Sequence, residues 1–404
     1  MLGREPVSSV VYRYPELAAA IRDIGDEVAL DPTDAGYSTE AVSRRLDSLR
    51  KVGLGALRIP TELGGRGLGL RDFLDVIIAV ASADSNIPHI LVQHFFAVEV
   101  LLRDTTANRT ALSWVAQGGL LGAAFQDPLT TQHPTVVRTH PDGGYVLDGR
   151  KVYTTGALYS DVLHVVAKNE AGQPVVAHVP ADRDGVHIFD DWSGFGQVAS
   201  ASGSVEFTEV AVADEEISTL GRPQHVEVDI QQLVITATLA GIADAAARQA
   251  SVLLRDRTQR RYPLGLGIPA PQDPLIQTTA GEFWAQATAA RAVVLHVGQA
   301  IDEAEQRTRE LDPTRDAELI DELFRDADIY QLQAQGFVAP LVVAQTAHVF
   351  DALGGSETSR QRGLDRHWRN ARTLASHNPV VYKLRQVGDY LVNGTVPQQI
   401  GAPG

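Results

Sequence analysis

Residues 371–383 read ARTLASHNPVVYK and place Arg372, Ser376, His377, Asn378 and Lys383 in one short stretch of an otherwise apolar helical region. An imidazole exchanges protons near neutral pH, whereas an amide can orient a neighbour but cannot take a proton. The stretch holds no carboxylate, so acid–base chemistry run from it belongs to His377, with Asn378 placed to orient the ring. Two arginine groups could hold an anion such as a phosphate. Arg255, Arg257, Arg260 and Arg261 form one cluster, and Arg366, Arg369 and Arg372 recur every three residues along a helix; a solvated helix face looks the same. His89 and His94 in NIPHILVQHFF are five apart and share no helix face closely, and no carboxylate stands at zinc-motif spacing, so no metal is expected.

These residues need a scaffold, and the 404-residue chain is long enough for two or three domains. Residues 1–117 read as helical, because STEAVSRRLDSLRKVG and LRDFLDVIIAVASAD repeat apolar residues at three- and four-residue spacing. PTELGGRGLGL reads as a glycine-rich loop between helices. Residues 118–222 change period: YVLDGRKVYTTG, DVLHVVAK, PVVAHVP and GSVEFTEVAV are β-branched runs parted by turn residues, which predicts a middle antiparallel β domain. Residues 223–404 return to long amphipathic segments, near 226–257, 279–308, 315–353 and 365–393, which predict a C-terminal four-helix bundle. The fold class is α+β in the order helical, β, helical. No strand–helix–strand unit surrounds a glycine cluster, so a dinucleotide-binding domain is not expected.

Composition narrows the partners. A formal charge of −15 argues against nucleic acid. The absence of an eighteen-residue apolar run argues against a membrane span, and the N-terminal sequence shows no signal-peptide pattern, so a cytoplasmic enzyme is the expectation. There is no cysteine, and the single methionine is the first residue. Genome bias explains that as simply as two functional readings do: chemistry that generates peroxide-like species, or synthesis under sulfur starvation.

LRIPTELGGRGLGL, DGRKVYTTGALYSD, SASGSVEFTEVAV, RDRTQRRYPLG, DALGGS and RHWRNART stand in the order of corresponding segments of the acyl-CoA dehydrogenase superfamily, which the chain resembles along nearly its whole length. In many of those dehydrogenases a glutamate in the terminal segment removes the substrate α-proton; by position it would fall at Asn378. DRHWRNARTLASHNPVVYK together with DDWSGFGQ resembles instead the two-component flavin monooxygenases on the same fold, the group of dibenzothiophene and dimethyl sulfone monooxygenases. That resemblance implies reduced FMN (FMNH2), with FAD as the alternative, supplied by a separate NAD(P)H-dependent flavin reductase. It further implies a flavin C4a-hydroperoxide formed with O2, a small apolar substrate, with an organosulfur compound among the candidates, and a homotetramer with flavin sites shared between subunits. His377 is then the proton and peroxide contact, and Thr154 and Thr155 present hydroxyls to flavin N5, though both suit an ordinary strand. Arg255, Arg257, Arg369 and Arg372 would meet the flavin phosphate, and Trp192 would wall the ring. Phe195, His89, His94, Phe95 and Phe96 would line the substrate pocket, while Phe125 and Gln126 occupy a flavin-edge strand. The competing readings are an FAD-dependent acyl-CoA dehydrogenase or oxidase, and a non-catalytic binding homologue.

Overall fold

A computed structural model describes residues 8–131, 133–221, 225–256 and 267–397. The N-terminal part is helical: α1 (Pro15–Leu30), α2 (Thr39–Lys51), α3 (Leu70–Ala83), α4 (Asn86–Ile90), α5 (Val92–Leu102) and α6 (Arg109–Ala116). Ser38 caps α2 by accepting the Ala41 N–H, as a hydroxyl before a helix should. The strands follow: β1 (Leu121–Ala124), β2 (Val136–Thr139), β3 (Tyr145–Val152), β4 (Val162–Lys168), β5 (Pro174–Pro180), β6 (Val186–Phe189), β7 (Ser204–Val212) and β8 (Ile217–Thr219). Their order is β6-β7-β3-β2-β4-β5-β8, with β1 on β4. The sheet is mixed and departs from the antiparallel expectation. β1 runs parallel to β4, and β2 meets β4 in parallel at one end. The local signal of a strand carries its alternation but not its distant partner.

The remaining helices are α7 (His225–Arg255), α8 (Pro274–Thr308), α9 (Ala317–Leu353), α10 (Asp365–Ala375) and α11 (Val380–Asn393). The expected fourth bundle helix is therefore two helices, broken at Ser376–Pro379, where Pro379 takes the N-cap position of α11. Helices α3, α7, α8 and α9 share one apolar core that includes Ile77, Leu233, Val294 and Val338. Gly241 permits the closest approach: a Cβ there would lie 2.4 Å from Ala81 Cβ and 2.6 Å from the Ile78 carbonyl. α7 and α9 each carry an 18-residue window apolar enough to cross a membrane by composition. Both belong to this core, and both carry buried polar residues, Asp229 and Gln232 on α7 and Gln331 and Gln335 on α9.

Candidate active site

The site begins where β3 ends. Tyr153 adopts φ 58° with its side chain 64% exposed, a left-handed conformation that a tyrosine avoids unless its surroundings impose it. The kink turns the next two residues inward. Thr154 donates from its N–H and its hydroxyl to the Gly203 carbonyl, at 3.0 and 3.1 Å. The Thr155 hydroxyl pairs with Ser202 Oγ at 2.9 Å, and Ser202 pairs with Ser200 at 2.8 Å, making a buried file of three hydroxyls. Gly156 follows at φ 79°, where a Cβ would meet the Ile90 carbonyl at 2.2 Å. Only glycine lets this turn lie on α4, and that contact brings the YTTG segment to His89. Beneath it, the Lys151 ammonium binds the Phe125 carbonyl at 3.1 Å and Asp127 at 2.9 Å, tying β3 to the Phe125–Gln126 edge.

A second wall comes from residues 192–203, whose left-handed Gln197 and Ala201 bend the loop. It is tied to both helical parts. The Gln197 N–H donates to Asn370 Oδ1 at 2.7 Å, Asn370 Nδ2 and Gln197 Nε2 both donate to Ser85 Oγ, and the Ala199 N–H donates to Asn86 Oδ1. Trp192 Nε1 reaches the Gly196 carbonyl at 3.3 Å, and Phe195 stacks on Trp368 with ring centroids 5.8 Å apart. Trp192 is half-buried and Phe195 exposed, so both stand at a rim.

The third wall is the α10–α11 break. His377 N–H closes the end of α10 on the Leu374 carbonyl at 3.1 Å, and its imidazole makes no hydrogen bond among the described residues. The side chain reaches solvent in the single chain, yet burial, followed by the field of the Lys383 ammonium, holds its pKa below the usual histidine value. Asn378 turns the other way: its Nδ2 donates to Gln232 Oε1 of α7 at 2.9 Å. That bond anchors the turn. His89, buried on α4, is near enough to feel His377. Burial first, and that neighbour second, push it down to about 3. A weak contact with Gln197 opposes that fall, and His89 Nδ1 and Gln197 Oε1 are both buried without a well-formed hydrogen bond among the described residues.

Several expected site residues lie elsewhere. His94 is structural: Nδ1 accepts the Leu121 N–H at 3.1 Å, which leaves Nε2 to donate to the Gly55 carbonyl at 2.9 Å. Both ring nitrogens are used, and burial lowers its pKa to about 4. Phe95 is core, packed edge-on against Phe73 with centroids 4.8 Å apart. Phe96 is half-buried against Phe125. Arg369 is fully engaged by Asp34, Asp365 and the Phe195 carbonyl, so it braces the Trp192 loop and is not free for a phosphate. Arg366 is likewise held by Gln249 and the Gly363 carbonyl. Arg255 and Arg372 are exposed with no side-chain partner among the described residues. Arg257, Arg260 and Arg261 lie outside the described residues. Sequence reading passed over Ser85, Asn86, Gln197, Ser202 and Asn370, although the polar run ADSN inside an apolar helical stretch marked two of them.

The geometry suits a planar, hydrogen-bonding heterocycle. The facing polar atoms of His89 and Gln197, the His377 ring and the Thr155 hydroxyl file set hydrogen-bonding groups on its three walls. A helical–β–helical chain with such a site has the layout of an acyl-CoA dehydrogenase-fold flavoprotein, and residues 233–382 match the family model for the C-terminal domain of acyl-CoA dehydrogenase. The chain is 30% identical to dibenzothiophene monooxygenase of Mycolicibacterium goodii over 373 residues, 87% of each chain. Among solved structures it superposes on the dibenzothiophene monooxygenase of Paenibacillus sp. A11-2 in complex with FMN and indole, with TM-score 0.80, 28% identity and coverage of 96% and 98%. It superposes equally on methanesulfinate monooxygenase of Pseudomonas fluorescens, with TM-score 0.80, 28% identity and coverage of 94% and 98%. The chain belongs to the flavin-dependent monooxygenases built on the acyl-CoA dehydrogenase fold.

Proposed function

We propose that this enzyme uses reduced FMN, borrowed from a separate NAD(P)H-dependent flavin reductase, to place one atom of O2 on a small organosulfur substrate. The observation that carries the reading is the α10–α11 turn, which offers an unbonded imidazole at His377 where an acid would serve dehydrogenation, while Asn378 is tied back to Gln232. Dibenzothiophene and methanesulfinate, in the names of the relatives, set the substrate class. The FMN-bound relative supports FMN as the cofactor.

When bound, reduced FMN would supply the two electrons that activate O2, one atom of which goes to the substrate and the other to water. The protein's own residues manage protons, orientation and water. His377 would relay a proton to the second oxygen atom so that it leaves as water, one ring nitrogen giving a proton as the other takes one from water. The Thr155 hydroxyl, backed by Ser202 and Ser200, donates a hydrogen bond to the flavin ring, and Thr154 holds the turn that aims it. His89, neutral through burial, gives the substrate a polar contact. Trp192 and the Phe195–Trp368 stack exclude water from the ring face, and Phe96 with Phe125 forms the apolar wall. Arg255 and Arg372 are the phosphate donors.

The enzyme is a cytoplasmic homotetramer in this reading. The outer face of α11 supports assembly, exposing Val381, Leu391 and Val392 (80%) beside Phe337 of α9, more apolar surface than a lone subunit keeps in water. To test the function, the anaerobic complex with reduced FMN is mixed with oxygenated buffer and a sulfide or sulfinate. Oxygenated product in step with flavin oxidation supports it; oxidation to FMN and H2O2 alone, across such substrates, overturns it.

A further inference from the structure

Beneath His377, the apolar bundle contains a polar stripe that the reaction above leaves unused. α7 contributes Asp229 and Gln232, three residues apart and so on one face; α9 contributes Asp328, Gln331 and Gln335; α11 contributes Lys383. Gln232 Oε1 is the hub, accepting from Asn378 Nδ2 at 2.9 Å, from Lys383 Nζ at 3.2 Å and from Gln335 Nε2 at 3.2 Å. Lys383 is 4% exposed and Asp229 is buried as well. Asp229 Oδ2 and Asp328 Oδ1 have no donor among the described residues, as expected of two carboxyls that share a proton. At the outer end His225 bridges Asp328 and Asp321, at 3.2 and 2.9 Å.

Buried charges of this kind are expensive, and apolar residues of similar size often pack as stably. A lysine and a carboxyl pair joined through Gln232 to the His377–Asn378 turn therefore call for a role at the site. We propose that Lys383 is a positioning residue for His377: donating to the same Gln232 oxygen that accepts Asn378 Nδ2, it locks the His377–Asn378 turn and sets a positive charge beside the imidazole. The inference rests on His377 facing the flavin. The groups that face the pair are Lys383 from α11, His89 from α4, Asp229 from α7 and Asp328 from α9. Burial pushes Lys383 down to about 8, against the pull of Asp229, so it still carries its proton at neutral pH. Burial, then Asp328, raises Asp229 well above the usual carboxylate range, and Lys383 opposes that rise. A ring kept neutral has one nitrogen free to take a proton from water while the other gives its proton to the departing oxygen.

The test is the titration of His377 in flavin-free protein, followed by NMR with isotope-labelled histidine and assigned by the resonance lost in H377Q. K383Q keeps a donor for Gln232 but removes the charge, and it should move the His377 titration upward. K383R, which keeps the charge, should restore it towards wild type. In the reduced-FMN assay the pH at which H2O2 release rises should move upward in K383Q by the same interval. A His377 titration unmoved in K383Q overturns the proposal, and so does a moved titration with an unshifted release profile. Absence of oxygenated product from wild type at every pH would instead overturn the function and leave the titration result standing.

Discussion

Three histidines show how environment, not residue type, assigns the work. His94 has both nitrogens committed to backbone groups, His89 has a buried nitrogen without a well-formed hydrogen bond among the described residues, and His377 has a free ring. Replacing His94 by leucine should orphan the Gly55 carbonyl and the Leu121 N–H, costing about 2–4 kcal/mol in denaturant unfolding, with turnover per folded molecule unchanged. H377A should do the reverse: product formation should fall on the order of 100-fold and H2O2 release rise, with the unfolding midpoint and FMN affinity near wild type. Unchanged coupling of flavin oxidation to product in H377A would remove the imidazole from the mechanism. At this scale the sequence disclosed His377 through its unusual company, but it could not separate His89 from His94, because the groups that commit His94 come from Gly55 and Leu121, distant in the chain.

At the level of elements, the proposed site depends on two interruptions. The strained Tyr153 turn aims Thr154 and Thr155, and the break at Ser376–Pro379 frees His377. Y153G relieves a left-handed conformation worth about 1–2 kcal/mol and should raise the melting temperature, while weakening flavin binding because the threonines lose their fixed aim. An unchanged or lower melting temperature would show the kink to be unstrained. Where α7 crosses α3, G241V should destabilise by about 1–3 kcal/mol, read by thermal denaturation, since its methyl groups must enter space held by Ala81 and the Ile78 carbonyl. The helical and β segments were legible because periodicity is local. The parallel pairing of β1 and β4 was not, and nor was the Gln232 hub, whose bond to Lys383 joins residues 151 apart in sequence. Pro379 did announce the helix break; four apolar segments of bundle length concealed it.

Across the whole molecule, buried neutral histidines set the acid limit. Burial holds His94 to about 4 and both His89 and His164 to about 3, while the unfolded chain protonates them near 6.5. Their contribution to stability is thus complete above the unfolded value and lost as pH falls through the folded values. Unfolding free energy should decline steeply below about pH 6, and more gently in H164L; a flat profile down to pH 4 would contradict the burial of neutral rings. Assembly makes a separate claim. L391E with V392E should yield smaller particles by light scattering, with the fold intact by circular dichroism, if the apolar face of α11 is a subunit interface.

A borrowed reduced flavin that passes an atom of O2 to the substrate leaves an isotopic trace. Turnover with reduced FMN and a sulfide or sulfinate under isotopically labelled O2, read by mass spectrometry, should put one labelled oxygen in each product molecule and the other in water. Product lacking the label, or a purified enzyme whose tightly held FAD is bleached by an acyl-CoA, would contradict that transfer.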